Sequence, residues 1–368
     1  MFGFRFQLFL LLTLLGFGAL SACSDLDYYL HTAGGHIRIM AERKSIPDLL
    51  QDRTTSEELR EKLKTIAWIR HFASDRLGLP ENGSYRSYTE LDRPYVVWNV
   101  VATPELSLEP LNWCFPFAGC ISYRGYFELK KARAFAELLQ NEGYDITISG
   151  VPAYSTLSWF DDPALSTFSR WPASSVARLI FHELAHQKLY VPDDSAFNES
   201  YATTVELAGV ELWLERFGSQ AEKQDYAQRL AHERQFLELT AETRRELQKI
   251  YASAMSIAEK RQRKEDVFAD LRRRYAALRS DWNGYDGYDR WFETLNNAKF
   301  ASLNTYQRWV PAFKLIMQQE RHSFDAFYRR CEAIARLPQE KRSELLDKLA
   351  RAYRQLASEQ PPLAEAKQ

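Results

Sequence analysis

The sequence predicts an α+β fold in which a core of helices and strands precedes a long, purely helical region. Short β-rich segments, such as 95–101 and 145–151, are found in the first half of the chain. Apolar residues at helical spacing surround them and recur through the second half, where residues 219–280 are rich in Glu, Lys, Arg, Gln and Ala. We therefore expect a mixed core, then a long helical arm, then a helical C-terminal segment.

The predicted core elements alternate between helices and strands. A loop at 79–84, Leu-Pro-Glu-Asn-Gly-Ser, separates the first two helices from the strands, because Pro and Gly interrupt regular structure. Gly143 is expected to end the helix that follows the second strand. In order, the expected elements are helices 28–50 and 56–77, strands 95–101 and 121–127, helix 128–141 and strand 145–151.

Two consecutive helices are predicted after the strands. The first starts near Pro172, with Ser174 or Ser175 as its cap, and runs to about Tyr190. The second covers about 196–217. Because only a short loop joins them, we expect the second helix to return antiparallel to the first.

The charge balance gives no reason to expect a nucleic-acid partner. The chain has 48 Lys and Arg residues against 49 Asp and Glu residues, which gives a net charge of -1 and a pI of about 6.7. Binding to a phosphate backbone depends on a surplus of Lys and Arg. The short basic run at 260–264 is expected to be a solvated helix face.

Residues 1–22 have the pattern of a bacterial lipoprotein signal peptide. Arg5 gives a short basic start, and a mostly apolar stretch follows at 6–20, which is shorter than the about 20 residues that a spanning helix needs. It ends in Leu-Ser-Ala-Cys, which resembles the lipobox, so Cys23 is the expected lipidation site. A plain secretory signal or an uncleaved anchor is the alternative. The pattern predicts a lipoprotein of the bacterial cell envelope that faces the periplasm, and Ser24 favours the outer membrane.

The four cysteines are too few for a disulfide-rich scaffold and lack the paired spacing of a structural zinc site. Export would bring the chain into an oxidising compartment, where Cys114 and Cys120 can close a small loop. Sequence does not fix the Cα geometry that a disulfide needs, so a bonded pair and two free thiols both remain open.

The most informative motif is His-Glu-Leu-Ala-His at residues 182–186, inside the first of the two consecutive helices. Residues four apart share a helix face, so His182 and His186 can offer two imidazoles to one metal ion. Glu183 can then reach a metal-bound water without binding the metal. Zn²⁺ suits such ligands and lowers the pKa of the water, so that Glu183 can act as a general base. The competing interpretation is an amphipathic helix whose histidines pair with carboxylates.

A catalytic zinc site needs a third protein ligand, and Glu199 is the predicted one. Twelve residues separate it from His186, and it lies near the start of the second helix. Glu206 is the alternative, either as a ligand or as a partner that orients a histidine. A third His six residues after His186 is absent, since Pro192 stands there.

The second helix, with its Asn-Glu start, resembles the zinc-binding helix of gluzincins, although the spacing is shorter than in the thermolysin-like and aminopeptidase groups. Around it the chain resembles a family of bacterial proteins named as putative aminopeptidases, which are often lipoproteins. The resemblance implies a zincin-like core, a Zn²⁺ cofactor and a peptide substrate. It is carried by 120–127 (Cys-Ile-Ser-Tyr-Arg-Gly-Tyr-Phe), 153–157 (Ala-Tyr-Ser-Thr-Leu) and the motif helix, and it extends to 296–298 and Tyr306.

Peptide hydrolysis needs two further parts. Residues 151–157 precede the motif helix, where zincin folds have the edge strand that binds substrate through main-chain hydrogen bonds. A donor for the tetrahedral oxyanion is also required. Tyr306 and Tyr154 are the first catalytic candidates for this role, with Tyr123 and Arg124 as further ones.

The predicted organisation is a signal peptide at 1–22, a zincin-like catalytic core at 23–217, a helical hairpin arm at 218–285 and a C-terminal helical segment at 286–368. The predicted activity is that of a zinc-dependent peptidase, and the resemblance favours an aminopeptidase. An envelope endopeptidase with the same site is one alternative. A lipid-anchored binding or scaffold protein on a zincin fold is the other, and the intact Glu183 disfavours it because a binder needs no base.

Overall fold

The computed structural model describes residues 27–115, 119–156, 159–304 and 308–359. Within these ranges the predicted α+β class is confirmed, since small sheets occur in the first half and helices form the C-terminal segment. Cys23 and Tyr306 lie outside the described residues. Among the helices of the described ranges, none has the length and apolar character that crossing a membrane would require.

The N-terminal helices differ from the prediction. The single helix expected at 28–50 is wrong, because a two-residue strand at Lys44–Ser45 interrupts it. Pro47 lies in the first turn of the next helix, where a missing amide donor costs no hydrogen bond. The helices of this region are α1 (27–41), α2 (Ile46–Gln51) and α3 (Glu57–Asp75).

The strands form three small sheets. They are β1 (Lys44–Ser45), β2 (Ser87–Thr89), β3 (Val97–Pro104), β4 (Trp113–Phe115), β5 (Gly119–Ile121), β6 (Arg124–Tyr126), β7 (Tyr144–Val151) and β8 (Ala164–Leu165). One sheet has the order β6-β3-β7 and is antiparallel throughout, and a second has the order β1-β2-β8. The strands β4 and β5 form a hairpin in which Cys114 and Cys120 lie opposite each other and are joined by a disulfide. Of the two alternatives that the sequence left open for Cys114 and Cys120, the disulfide is therefore the one present.

The edge strand expected at 151–157 is wrong in position. Strand β7 ends at Val151, and residues 152–156 have no regular structure. Pro152 explains the end of the strand, because proline has no amide hydrogen to donate to a ladder. Strand β7 is itself at the edge of the β6-β3-β7 sheet, and helix α4 (Leu129–Asn141) packs against it and β3.

Two long helices form the centre of the core. After the short helix α5 (Ser166–Ser169), helix α6 (Ala173–Lys188) and helix α7 (Ser195–Phe217) pack against each other over most of their length. Ser174 and Ser175 do not cap α6 as predicted, because the helix already begins at Ala173 with Pro172 at the cap position. Helix α7 is capped by Asp194, whose carboxylate accepts a hydrogen bond from the Phe197 amide.

A helical hairpin follows the core. It consists of α8 (Gln220–Ala252) and α9 (Ile257–Asp281), each of which begins with a capping box. The hairpin has its own apolar cluster, which includes Phe236, Leu247 and Phe268. The basic run at 260–264 is not a fully solvated face, because Lys264 is buried and donates hydrogen bonds to the Asp145 carboxylate and the Glu105 carbonyl.

The C-terminal helices pack against two different parts of the core. They are α10 (Asp289–Glu293), α11 (Asn297–Asn304), α12 (Val310–Gln319), α13 (Phe324–Ala335) and α14 (Gln339–Glu359). Helix α11 packs against strands β3 and β7, and helix α12 packs on both α7 and α14. At the start of α7, Arg342 of α14 donates a hydrogen bond of 2.8 Å from Nε to the Asp194 carboxylate, and its Nη2 atom lies 2.6 Å from the same oxygen. Both side chains are buried, so this pair ties the C-terminal segment to the cap of α7.

The Arg342→Met variant is expected to lose about 3–5 kcal/mol of unfolding free energy, because it leaves the buried Asp194 carboxylate without its cationic partner. Urea denaturation followed by circular dichroism measures the change. The control is Arg329→Met, which breaks the exposed pair with Asp325 and should cost at most about 1 kcal/mol. Equal losses in the two variants would contradict the structural role of the buried pair.

Candidate metal centre

The His-Glu-Leu-Ala-His motif occupies the second half of α6, with its two histidines on the same face. Phe181 and Leu184 are fully buried in the main core, which fixes the rotation of the helix about its axis. His182 and His186 therefore lie together on a neighbouring face, with ring centroids 4.7 Å apart. Their Nε2 atoms are 3.1 Å apart.

Glu199 reaches the two histidines from helix α7. Its Oε2 atom lies 3.3 Å from His182 Nε2, and its Oε1 atom lies 3.7 Å from His186 Nε2. The loop before α7 is held by Asn198, whose side chain both accepts from the Val191 amide and donates to the Val191 carbonyl, at 2.8 Å in each case. The structure thus brings together all three residues selected from the sequence as metal ligands, and this group could hold a metal ion.

The arrangement of these donor atoms fits a tetrahedral Zn²⁺ ion. Ligand atoms held tetrahedrally at about 2.0–2.2 Å from Zn²⁺ are about 3.3–3.6 Å apart. His182 Nε2 lies 3.1 Å from His186 Nε2 and 3.3 Å from Glu199 Oε2, both close to that range, and the 3.7 Å separation from His186 Nε2 is to the other carboxylate oxygen, Oε1. Glu199 Oε2 is buried and has no hydrogen bond among the described residues, although buried carboxylate oxygens normally have a partner. A cation between the three side chains would satisfy it.

Glu206 pairs with His182 and lies outside the group that could hold a metal ion. Its Oε2 atom accepts a hydrogen bond of 2.8 Å from His182 Nδ1, which directs Nε2 toward Glu199. The other oxygen accepts from Arg178 Nε at 2.6 Å, and the Arg178 Nη atoms donate to Glu233 at 2.7 and 3.0 Å. Of the two roles predicted for Glu206, the orienting one agrees with the geometry.

The electrostatics of the two histidines differ. Burial opposes protonation of His182, but Glu199 and Glu206 outweigh it and raise its pKa well above the ordinary value. Burial lowers the pKa of His186 to about 4, and the charge on His182 adds to the effect. His186 Nδ1 is buried without a hydrogen-bond partner in the described ranges. The Nδ1 atom of His182 is therefore hydrogen-bonded to a carboxylate, whereas the Nδ1 atom of His186 is buried without such a partner among the described residues.

Glu183 lies beside His182 on α6 and is half-buried. Burial raises its pKa to about 7; the positive charge of His182 opposes the shift, and the negative charges of Glu199 and Asp162 add to it. Its carboxyl group is thus close to the ligand set without belonging to it. This agrees with the position that a general base requires.

The structure gives different information on the candidate oxyanion donors. Tyr154 follows the end of β7 and hydrogen-bonds His36 Nδ1 of α1 at 2.8 Å, and its charged neighbours are Asp162 and Arg93. Tyr306 lies outside the described residues. Both tyrosines stay predictions as oxyanion donors.

Tyr123 and Arg124, the other two candidates, have different surroundings. Desolvation by the surrounding protein raises the pKa of Tyr123 to about 12, and the negative charges of Glu199 and Glu183 add to the rise. The residue nevertheless keeps 38% of its surface exposed. A phenol with this pKa is neutral near pH 7 and can donate a hydrogen bond. The Arg124 guanidinium packs instead over the rings of Tyr28 and Phe135, at 4.0 and 4.9 Å.

Tyr85 is a residue near the site that sequence analysis missed. It is buried, and its hydroxyl has no hydrogen bond among the described residues. Burial raises its pKa, and Glu183 is the charged group that contributes most to the rise. Its φ of 62° is rare for an aromatic residue, and the buried Arg70 supports this loop by donating to the Ser84 carbonyl at 2.8 Å. No local sequence signal separates Tyr85 from the other 18 tyrosines of the 19 in the chain.

The Glu206→Ala variant is expected to bind zinc about 10- to 100-fold more weakly, because His182 loses the carboxylate that orients it. Titration against a chromogenic chelator measures the dissociation constant, and circular dichroism checks the fold. Glu211→Ala is the matched control, since Glu211 is exposed on the same helix and lines a cavity away from the histidines. Unchanged zinc affinity in Glu206→Ala would contradict the orienting role.

Comparison with known proteins gives a result at the level of the family. The family model described as "Putative aminopeptidase" matches residues 27–346 of this chain. Neither the curated proteins nor the solved structures include a match. The matched range contains the candidate metal centre, the helical hairpin and most of the C-terminal helices. The family description supports a peptidase activity in broad terms. The chain belongs to the family described as "Putative aminopeptidase".

Proposed function

We propose that this protein is a zinc-dependent aminopeptidase that hydrolyses peptide bonds. The observation that carries the proposal is the convergence of His182, His186 and Glu199, with Glu183 beside them but outside the ligand set. Family membership supports peptidase chemistry and favours removal of N-terminal residues over internal cleavage.

In this proposal His182, His186 and Glu199 would hold Zn²⁺. When bound, the metal would act as a Lewis acid, lowering the pKa of a water molecule and polarising the substrate carbonyl. Glu206 would keep the His182 ring in the orientation that presents Nε2 to the ligand set. Arg178 holds Glu206 in turn through its 2.6 Å hydrogen bond.

Glu183 would move the proton that hydrolysis requires. Its carboxylate would accept a proton from the attacking water and pass it to the nitrogen of the leaving amine. Glu183 directly follows His182 on α6, so its carboxylate would be within reach of the space that the proposed ligands face. The retained carboxylate is also the reason to prefer an enzyme over a scaffold protein.

Of the candidate donors, Tyr123 has the surroundings that best suit a hydrogen bond to the oxyanion of the tetrahedral intermediate. It is electrostatically close to both Glu199 and Glu183, and it is neutral near pH 7. A neutral phenol donates a hydrogen bond without bringing a charge, which suits a developing negative charge on oxygen. Tyr306 stays a prediction, since it lies outside the described residues.

We also propose that the protein is a periplasm-facing lipoprotein, anchored to a bacterial membrane, most simply the outer one, by a lipid on Cys23. The support is the Leu-Ser-Ala-Cys sequence after an apolar stretch. Intact-mass spectrometry of the protein extracted from membranes should detect a lipid-modified N-terminus at Cys23. A mature N-terminus elsewhere, with an unmodified Cys23, would contradict the anchor.

Elemental analysis of the purified protein is expected to give about one zinc per chain, and Glu199→Ala should lose most of it, because two imidazoles alone hold the ion weakly. Glu215→Ala, which removes an exposed carboxylate from the same helix, is the control and should keep the zinc. Zinc retained in Glu199→Ala would assign the third ligand to another residue. No zinc in the wild type after loading would contradict the metal centre.

Glu183→Gln is expected to lower peptide cleavage by about 10²- to 10⁴-fold while zinc content stays unchanged, because the amide cannot accept the proton. Mass spectrometry of peptide mixtures measures cleavage, with free and acetylated N-termini compared. Cleavage confined to free N-termini supports the aminopeptidase, and cleavage of both forms supports an endopeptidase instead. Full activity in Glu183→Gln would refute its role as the base.

A further inference from the structure

Helix α1 packs on the core along one side and is uncovered along the opposite side. Gly35 allows the close packing, since a Cβ atom at this position would overlap the ring of Phe127. At the adjacent Gly34, an added Cβ atom would meet no atom within 4 Å. Two neighbouring glycines of one helix therefore mark its buried side and its open side.

The open side of α1 is apolar along its length, and we call it the α1 face. Its members fall on one side of the helix, because residues four apart are neighbours there. An exposed helix face is normally polar and charged. Here Leu30 and Ile37 are each 64% exposed, and Arg38 alone is charged. The exposed residues within 28–41 are Tyr29, Leu30, Ala33, Gly34, Ile37, Arg38 and Ala41.

Two exposed aromatic residues lie beside this face. Trp159 is 73% exposed, and Phe160 is also exposed, with its ring centroid 4.6 Å from that of His36 on α1. Tryptophan is enriched where proteins meet the interface of a membrane, because its ring is apolar and its N–H group can reach water and headgroups. The exposed apolar surface thus includes residues from two separate parts of the chain.

The charges at the C-terminal end of the face suit contact with phospholipid headgroups. Residues 38–44 contain three basic side chains, Arg38, Arg43 and Lys44, and one acidic side chain, Glu42, all of them exposed. Helices that lie in a membrane interface combine an apolar face with basic residues that approach anionic lipids. The composition of this region therefore favours a lipid surface over a purely aqueous one.

The position of Cys23 identifies what would cover the face. Only residues 24–26 separate Cys23 from the first residue of α1, and the four Cα–Cα steps span at most about 14 Å. A lipid on Cys23 would hold the start of α1 within that distance of the bilayer. The face from Tyr29 to Ala41 is about 18 Å long, so a helix lying flat would bring all of it to the surface.

We propose that the α1 face, together with Trp159 and Phe160, lies in the headgroup region of the bilayer that carries the anchor. The inference rests on the proposed lipid on Cys23 and goes beyond it, because a lipid alone leaves the protein free to rotate above the membrane. Removal of the apolar side chains from water would stabilise the contact. A fixed α1 would in turn fix the direction in which the candidate metal centre faces.

The test uses the full-length lipidated protein in vesicles of phosphatidylethanolamine and phosphatidylglycerol. A fluorescent probe on Ala33→Cys is quenched by lipid-borne nitroxides when it contacts the bilayer, and Ala277→Cys, at an exposed alanine of α9, carries the control probe. The other thiols do not compete, since Cys114 and Cys120 are bonded and Cys331 is buried. Quenching at Ala33 is expected to be at least about fivefold stronger than at Ala277.

A charge placed in the face tests the contact itself. Ile37→Glu should lower the quenching at Ala33 at least about twofold, because a carboxylate is costly to bring into the apolar part of the interface. Ile257→Glu is the matched control and should leave it unchanged, since Ile257 of α9 is 62% exposed, almost as much as Ile37. Both side chains are exposed, so neither substitution disturbs the core.

Equal quenching at Ala33 and Ala277 in the lipidated protein would overturn the inference and leave the anchor intact. Wild-type quenching in Ile37→Glu would overturn it as well. An unquenched probe at Ala33 in a protein that sediments as a dimer would assign the face to a second copy of the chain instead. If intact-mass spectrometry finds Cys23 unmodified, the proposed anchor fails and the inference fails with it.

Discussion

The packing of α6 against α7 is the constraint on which the candidate metal centre depends. Two histidines one turn apart can share a metal, but a third ligand has to come from another element at the correct height and rotation. Glu199 meets this requirement because α7 starts at Ser195, only four residues earlier, and its start is fixed by the Asp194 cap. A start displaced by one residue would rotate the carboxylate about 100° around the helix.

A single arginine connects this centre to the rest of the molecule. Arg178 joins Glu206, which orients His182, to Glu233 on the helical hairpin. Breaking a buried charge network is costly, but an intact one gives little net stability compared with apolar packing. Its physical value here is geometric, since it fixes the orientation of His182 and holds helix α8 to helix α6.

The sequence predicted the parts of the site that depend on local periodicity. The shared face of His182 and His186 follows from helical spacing, and Glu199 followed from the short loop between two helices. Glu206 was expected either as a ligand or as an orienting partner, and its hydrogen bond to His182 Nδ1 agrees with the second role. Periodicity carries this information because both helices are continuous through the site.

Residues placed by long-range contacts could not be predicted in the same way. Tyr85 comes near Glu183 only because Arg70 and its neighbours hold the preceding loop. Tyr154 is directed toward α1 because strand β7 ends just before Pro152. The prediction of a strand at 151–157 did not take the effect of this proline into account. Phe236 lies on the helical hairpin, and the spacing of residues in the sequence does not show that this hairpin comes close to His182.

The most direct test of this account is a crystal structure of the zinc-loaded protein with diffraction data collected on both sides of the zinc absorption edge. The account predicts one strong anomalous peak within bonding distance of His182 Nε2, His186 Nε2 and a Glu199 carboxylate oxygen, with Glu206 bonded to His182 and not to the metal. A peak at another position, or a zinc ion bound by Glu206 in place of Glu199, would contradict it.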